Sequence, residues 1–599
     1  MSPEAPCATL SPGHVQRLTL PDSLALECGR MLGDVTICFE SWGKLSENRD
    51  NVVLICHALT GDSHVARHGQ GDRPGWWDLV VGPGKYIDTD RYCVICSNVL
   101  GGCSGTTGPG QVDPTTHKPF GTTFPPITIF DMVAAQAALC DALGIERLHA
   151  VVGGSMGGHQ ALAWATRFGS RVKNCLVIAS SPRLSSQALS FDIIGRNAIL
   201  RDPHFAGGQY YDEPHKPGVG LALARMLAHI TYLSRDGMTS KFESERDKPR
   251  DIDSDFEKIY GVGSYLAHQG NKFIDRFDAN SYVSITRAED AFDLGEGGDV
   301  LAERFGEETD AGTRFGIVSF SSDWLFPPTQ SRQMVEGLSK AGRRVSYVEI
   351  TSDAGHDAFL LPDQVEQYGG FIQSMLEGSG DVDSPSASHV NVFAAHRLDY
   401  DTIVDLIPPT ASVLDLGCGD GGLLDRLRQR GERPLAGVDV TTQNVLAGVA
   451  RGLDVIDADL NQPLTFFADG QFDVVVLSQA LQSIDNTIGV LHEVLRVGRS
   501  AIVSFPNFAY GPLRDMLYDK GRSPKDLAAY GYEWYDTPNR RHPTILDFLE
   551  LCDKLHLDVR QAVYLDTFAG KQVAEDDEPN RKADLAVMVL AKAKDAGSD

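Results

Sequence analysis

Basic residues are scarce in this sequence. Its 599 residues carry 54 Lys and Arg against 81 Asp and Glu, a formal net charge of −27. That balance argues against a nucleic-acid partner, which would favour a basic face; otherwise acidity speaks mainly to solubility. Long apolar runs are also missing. No stretch of about 18 apolar residues occurs, so no membrane partner is expected. The opening MSPEAPCATL has neither a basic n-region nor an apolar h-region, and a cytoplasmic, reduced compartment is the expectation. The eleven Cys lack paired metal-ligand spacing, and no metal site is expected. Cys93 and Cys96 form the one C-x-x-C, inside YCVICSN, which reads as a buried strand with core thiols.

The remaining composition, 42% hydrophobic and 23% charged, is that of a soluble globular protein. The chain is too long for one ordinary core, so two or more domains are expected. EGSGDVDSPSASH, from Glu377, has no apolar periodicity and reads as a linker. On both sides apolar strands alternate with helical patterns, the mark of α/β sheets. The expected division is a first domain over 1–376, a linker over 377–391 and a second domain over 392–599. Between about residues 181 and 312 the strand rhythm gives way to helical patterns such as GLALARMLAHITYL, as a helical lid inserted into the first domain would.

The most informative stretch is VVGGSMGGHQALAWA, from Val151. It reads as strand, sharp turn and helix with Ser155 at the apex, and the flanking glycines permit a backbone that other side chains would block. G-x-S-x-G in that setting is the nucleophile elbow of an α/β-hydrolase fold. A serine hydroxyl needs a base, and the base needs an acid to hold its tautomer. Asp323 follows the strand RFGIVSFSS, and His356 follows the strand RVSYVEI, in the chain order such folds use. One of 17 His in a loop is usually a surface residue; the position after the last strand singles out His356. An oxyanion hole needs two backbone N–H groups. Met156, at the helix N-terminus, supplies one, and Leu59, in the loop His57–Gly61, is the candidate for the other. These residues predict acyl-serine chemistry and leave esterase, peptidase and acyltransferase open.

In the second domain SVLDLGCGDGGLL, from Ser412, places Asp415, Gly417, Gly419 and Gly421 in a strand-to-helix loop whose backbone can pass close beneath a ligand. Asp439 ends the next strand, where an acid meets ribose hydroxyls. Asp459 could face an adenine or cap a turn. A dinucleotide site is the rival, but D-x-G-x-G-x-G after V-L-D is the form of class I methyltransferase-like Rossmann folds, which bind S-adenosylmethionine.

From about Ser41 to Leu361 the chain resembles the homoserine O-acyltransferase family of methionine biosynthesis. HALTGDSH, NVLGGCSGTTGP, GGSMGG, ARMLAHITYLS, GNKFIDRFDANSY, SFSSDWLFPP and GHDAFLL carry the match. The resemblance implies that Ser155, Asp323 and His356 form the triad. It also implies that Arg225 and Asp357 hold the amino-acid substrate, homoserine, by its carboxylate and its ammonium. The acyl donor would be an acyl-CoA co-substrate, with no other cofactor required. Family members using succinyl-CoA carry arginine where this chain has Leu325, so acetyl-CoA is expected, with homoserine O-succinyltransferase or serine O-acetyltransferase as alternatives. His159 and Ser104 depart from the family pattern. A homodimer formed through the helical insertion is also implied.

From Val392 onward VLDLGCGDG, LRVGRSAIVSFPNF and EWYDTPN resemble the MetW family of methionine biosynthesis; RRHP from Arg540 departs from it. The family's partner is the acyltransferase itself, so the second domain is expected to support or regulate the first, with S-adenosylmethionine as its candidate ligand. A bifunctional acyltransferase and methyltransferase is the alternative.

Overall fold

A computed structural model describes residues 13–242, 260–378, 398–523, 535 and 539–593. Most of the expected linker (379–391) and most of EWYDTPN therefore lie outside the described residues. The chain falls into two compact units, one drawn from residues 1–376 save Ser346–Val348 and the other from residues 377–599 with Ser346–Val348.

The first unit is built on a mixed sheet. Its strands run, in spatial order, Gly13–Thr19, Thr36–Trp42, Cys93–Ser97, Val52–Cys56, Leu148–Gly154, Val172–Ile178, Arg314–Phe320 and Arg344–Ile350. The first two pairings are antiparallel, and those from Cys93–Ser97 through Arg314–Phe320 are parallel. Runs such as VVLIC and CVICS are buried along their whole length, as strands covered on both faces must be; Cys93 and Cys96 are core residues. Among the covering helices, Ile129–Ala142 starts at a reciprocal cap in which the Asp131 N–H donates to Thr128 Oγ1 and the Thr128 N–H to Asp131 Oδ2.

Between the strands ending at Ile178 and beginning at Arg314 stand helices Ser186–Leu200, Gly218–Tyr232, Arg235–Phe242, Gly261–Ile274 and Ala279–Asp290. The first, second, fourth and fifth pack on one another around a small core that includes Ile199, Tyr210, Leu221, Phe273 and Tyr282. Gly218–Tyr232 also packs on the 3-10 turn Gly355–Leu360. The next helix, Gly298–Glu308, instead lies against Pro328–Lys340 and belongs with the helices covering the sheet.

The second unit orders its strands Val455–Asp457, Leu435–Asp439, Val413–Leu416, Phe472–Ser478, Gly498–Pro506, Leu585–Lys592, Leu557–Asp566 and Lys571–Val573. The first five are parallel, and Leu585–Lys592 is antiparallel to both its neighbours. The winding reverses between Val413–Leu416 and Phe472–Ser478, which creates the crevice where open α/β sheets bind ligands. Leu423, Leu427, Val474, Val476 and Ile502 belong to its core. No described helix is long and apolar enough to cross a membrane.

Candidate active site

Ser155 joins the end of strand Leu148–Gly154 to helix Met156–Arg167 with φ 59 and ψ −130, a conformation non-glycine residues rarely adopt. Packing enforces the turn. A Cβ on Gly157 would stand 2.1 Å from the Cys56 carbonyl oxygen, and one on Gly153 would stand 1.9 Å from that of Gly157. The strained serine is held by its N–H, which donates to the Ile178 carbonyl at 3.0 Å.

The elbow brings Ser155 Oγ to 2.9 Å from His356 Nε2, and His356 Nδ1 lies 2.8 Å from Asp323 Oδ2. Asp323 Oδ1 accepts the N–H groups of Leu325 and Phe326 at 3.0 and 2.9 Å, so the carboxylate cannot swing away. With Nδ1–H donating to Asp323, the Nε2 lone pair faces the serine. All three side chains are buried. Burial alone would depress the His356 pKa, but the Asp323 charge and hydrogen bond, with Asp357 and Glu289 nearby, carry it above the ordinary value.

The backbone N–H groups of Leu59 and Met156 donate to no acceptor among the described residues. The Leu59 loop is anchored by residues that motif reading quoted without a role. His57 Nδ1–H donates to the Ala58 carbonyl at 2.8 Å, its Nε2 accepts from the Val99 N–H at 3.1 Å, and Gln160 Nε2 donates to the His57 carbonyl at 3.1 Å. Asn98 Nδ2 stands 3.2 Å from His57 Nε2, and its Oδ1 accepts the Ser104 N–H.

Beside Ser155 a chamber of about 40 Å³ is lined by Leu59, Leu184, Tyr232, Leu325, Phe326 and Glu289, among others. Asp192 also lines it, and among the described residues no cation does. Burial, with Asp290 beside it, pushes Glu289 up to about 8, and burial likewise raises Asp192. His159, unexpected at its position, is wholly buried and stacks on Phe292 at 4.8 Å; burial holds it neutral, with a pKa of about 3.

Tyr232 connects this chamber to Arg225. Its ring lies 5.9 Å from that of His356, and the Arg225 guanidinium lies 5.5 Å from it. Arg225 donates to Thr60 Oγ1 at 3.1 Å and has no ion pair among the described residues. Asp357 follows His356 in the same turn; burial raises its pKa, and the charges of His356 and Arg225 pull it back. Nothing in the sequence singled out Tyr232 except its place in ARMLAHITYLS.

Elsewhere in this unit Glu40, His64 and His68 bring three ligand atoms within 4.8 Å of one another, a geometry able to hold a metal that the sequence spacing did not suggest. Both imidazoles are already engaged with Glu40 Oε2, at 2.9 and 2.8 Å.

In the second unit Gly417, Gly419 and Gly421 all have positive φ, and a Cβ on Gly419 would meet nothing within 4 Å. Asp439 Oδ2 accepts the Gly419 N–H at 2.9 Å, and its Oδ1 accepts the Thr441 N–H. Asp415 is buried beneath the loop. Asp459 is exposed and caps its own turn, accepting both the N–H and the side-chain amide of Asn461 at 2.9 Å. The open glycine cradle with Asp439 beneath it fits a nucleoside ligand; Asp459 is spent locally.

Comparison with known proteins gives these arrangements their context. Residues 51–363 match the alpha/beta hydrolase fold family, and residues 397–590 match the family described as methionine biosynthesis protein MetW. Among solved structures, a homoserine O-acetyltransferase from Bacillus anthracis is 26% identical with a TM-score of 0.54, covering 61% of this chain and 98% of that one. Esterase E22 is also 26% identical, with a TM-score of 0.55, covering 61% of this chain and 99% of that one. The homoserine O-acetyltransferase of Rhodospirillum rubrum is 50% identical over 60% of this chain and 91% of its own length. The bifunctional methionine biosynthesis protein MetXA/MetW of Rhodopirellula baltica is 50% identical over 587 residues, 96% of this chain and 93% of that protein. With the hydrolase match in its first part, the MetW match in its second and that identity across both, the chain belongs to the bifunctional MetXA/MetW family.

Proposed function

We propose that this protein transfers an acetyl group from acetyl-CoA to the hydroxyl of L-homoserine, giving O-acetyl-L-homoserine and CoA in methionine biosynthesis. The observation that carries the proposal is the 50% identity, over almost the whole chain, to a protein named for both functions. The chemistry follows from the triad. Ser155 Oγ attacks the thioester carbonyl while His356 Nε2 takes its proton, and the N–H groups of Leu59 and Met156 receive the oxyanion. The proton passes to the departing CoA sulfur. His356 then deprotonates the homoserine hydroxyl, which attacks the acetyl-Ser155 ester, and the imidazolium returns the proton to Ser155 Oγ as its bond to the acetyl group breaks.

Esterase E22 shares this architecture by structural likeness, so what favours transfer over hydrolysis must lie around the triad. Water at roughly 55 M against ~1 mM homoserine begins with an advantage of about 5 × 10⁴, whereas positioning supplies effective molarities of about 10⁵–10⁸ M. Arg225, free of any described ion pair, holds the homoserine carboxylate, and Asp357 its ammonium. The small chamber beside Ser155 suits acetyl. A succinyl group would need a cation for its distal carboxylate, and the described lining of the chamber offers Leu325 and no cation, which disfavours it.

Residues 1–376 form the acyltransferase domain in this proposal, and 392–599 a methyltransferase-like Rossmann domain that supports or regulates it in the cytoplasm. Its strand order and the Gly417–Gly421 loop support S-adenosylmethionine as ligand, with Asp439 at the ribose. No residue there declares a methyl acceptor. Assembly is a homodimer through the helical insertion, supported by the exposed stripe Val219, Leu223 and Ile230 on one helix and by Ile193, Ile194 and Leu200 on another. The decisive test is CoA release by the full chain from acetyl-CoA, with and without homoserine, and with and without S-adenosylmethionine. Homoserine-independent release at the full rate would refute transfer. S-adenosylmethionine binding with no change in rate would refute regulation.

A further inference from the structure

Glu40 is a buried charge without the usual partner. It stands on the strand Thr36–Trp42 with its side chain 3% exposed, and among the described residues no Lys or Arg pairs with it. Burying a carboxylate is costly unless it is paired or binds a metal. Permanent cations are close in the fold: His64, beside Glu40, lines a cavity of about 440 Å³ together with Arg73, Arg225, Lys272 and Arg276. None of those four ion-pairs with Glu40. Two imidazoles meet it instead, both on Oε2: His64 through Nδ1 at 2.9 Å and His68 through Nε2 at 2.8 Å.

The far side of His64 decides what that contact needs. Its Nε2 lies 3.0 Å from the Arg73 carbonyl, which can only accept, so Nε2 carries a hydrogen. A neutral imidazole has no second one. Nδ1 then turns a lone pair toward a carboxylate oxygen 2.9 Å away, and a cation has to lie between them, either a proton or a metal ion. His68 brings another ring nitrogen to the same oxygen, and the three donor atoms lie within 4.8 Å of one another. The surroundings match those of a metal centre. Metal-bound imidazoles donate their other N–H to a carbonyl or carboxylate, and metal-bound carboxylates are themselves hydrogen-bonded. Here the Arg73 carbonyl takes the His64 Nε2–H, and Glu40 Oε1 accepts the Ser63 hydroxyl at 3.2 Å. Trp42 stacks on His68 with ring centres 4.6 Å apart and planes 1° apart, which fixes the direction of that imidazole.

We propose that Glu40, His64 and His68 form a site for a divalent transition-metal ion of the class that zinc represents. Two imidazoles and a carboxylate, without thiolate, suit zinc and its neighbours and suit magnesium or calcium poorly. Metal–ligand bonds of about 2.0–2.2 Å need donors roughly 3.3–3.5 Å apart in a tetrahedron, so each imidazole draws back from Glu40 by about 0.5 Å as the ion enters. The ion ties the loop after Leu59 to the sheet. His64 stands five residues beyond Leu59, and the Gly61 N–H closes a turn onto the Ala58 carbonyl between them. Holding His64 on the strand therefore limits where the Leu59 N–H can point. The site goes beyond the acyltransferase proposal and does not depend on it.

The test uses the full chain. Protein grown with zinc and passed through metal-free buffer holds about one equivalent of zinc per chain. Cobalt(II) added after chelation gives the visible absorption of a nitrogen- and oxygen-ligated ion, and zinc abolishes it. Chelation lowers the Tm and zinc restores it. His68→Phe keeps a ring against Trp42, and Glu40→Gln keeps a hydrogen-bonding group; both lose the metal and the response of Tm to zinc. Ser63→Ala weakens zinc binding about tenfold. Zinc bound as tightly by His68→Phe and Glu40→Gln as by the wild type would place the ion elsewhere and overturn the assignment. Wild-type protein that holds less than about a tenth of an equivalent after exposure to zinc, and melts at the same temperature with and without it, would overturn it too, leaving protons alone between the imidazoles and Glu40. Should either variant fail to fold, the cobalt spectrum and zinc content of the wild type decide the matter.

Discussion

The two units each place a glycine-rich turn between a parallel strand and a helix, and the turns solve opposite problems. At the elbow the positive φ falls on Ser155 itself, while the neighbouring glycines serve close packing: Gly157 against the Cys56 carbonyl, Gly153 against Gly157, and Gly154 against Phe359. At the loop of the second unit Gly417, Gly419 and Gly421 take the positive φ values, and Gly419 faces open space. Strain on a reactive side chain, supported by crowding, thrusts a nucleophile out and holds it there. Relaxed glycines, with open space beside Gly419, leave room for a ligand that would be held and not attacked. The same strand–turn–helix unit therefore suits an exposed nucleophile or an open ligand cradle according to which residue bears the unusual backbone.

The sharpest way to break the comparison is Ser155→Ala. It should leave both turns folded and lower CoA release by about 10⁵-fold or more, with no acetyl-enzyme detectable by mass spectrometry. S-adenosylmethionine binding, measured by calorimetry, should not change. A variant that kept turning over would deny Ser155 its covalent role. Next in size is Arg225→Ala. Loss of a charge-assisted contact should cut kcat/KM for homoserine about 10–100-fold, while the burst of acetyl-enzyme is largely retained; equal loss in both half-reactions would count against Arg225 as a substrate anchor.

A smaller effect separates the units by pH. His356 must be neutral to accept the serine proton, and its pKa is raised in the folded protein. Activity should therefore fall as pH drops through a value above the ordinary histidine pKa of about 6.5. An acid limb well below that value in a kcat/KM profile would show that Asp323 does not hold the imidazolium. Smallest in activity, and most direct for the two turns, is a pair of alanine variants. Gly157→Ala forces a methyl into the Cys56 carbonyl and should cost about 1–3 kcal/mol or more, read as a lower Tm together with lost acyl transfer. Gly419→Ala meets no atom and pays only for its positive φ, about 1–2 kcal/mol; it should weaken nucleoside binding before it touches acyl transfer. Equal effects from the two variants would erase the distinction drawn between the turns.

Much of the site was legible because its signals are local. A strand ending at Gly154 followed at once by a helix made Ser155 readable as an elbow, and Asp323 and His356 each stand just after a strand of their own. Local pattern failed where residues meet through space. Tyr232 earns its place only because its helix lies on the turn that carries His356. His57 and Gln160 hold the Leu59 loop through a bond between residues 103 apart in sequence. His159 broke the expected apolar pattern, and only the surrounding Phe292, Phe326 and Glu289 account for a neutral imidazole there. Asp459 read equally as adenine partner or turn acid, and its bonds to Asn461 are those of a turn.

The sequence by itself determined two α/β units, the serine, acid and histidine in their working order, and the glycine loop of the second unit, because strand periodicity and turn chemistry act between near neighbours. Only the tertiary structure decided that four scarce cations share one cavity, that two acids line the chamber beside Ser155 with no cation among its described lining, and that Ser155 lies 2.9 Å from His356, 201 residues away in the chain. Electrostatics acts through space, so charges distant along the chain acquire a joint meaning only once the fold has brought them together.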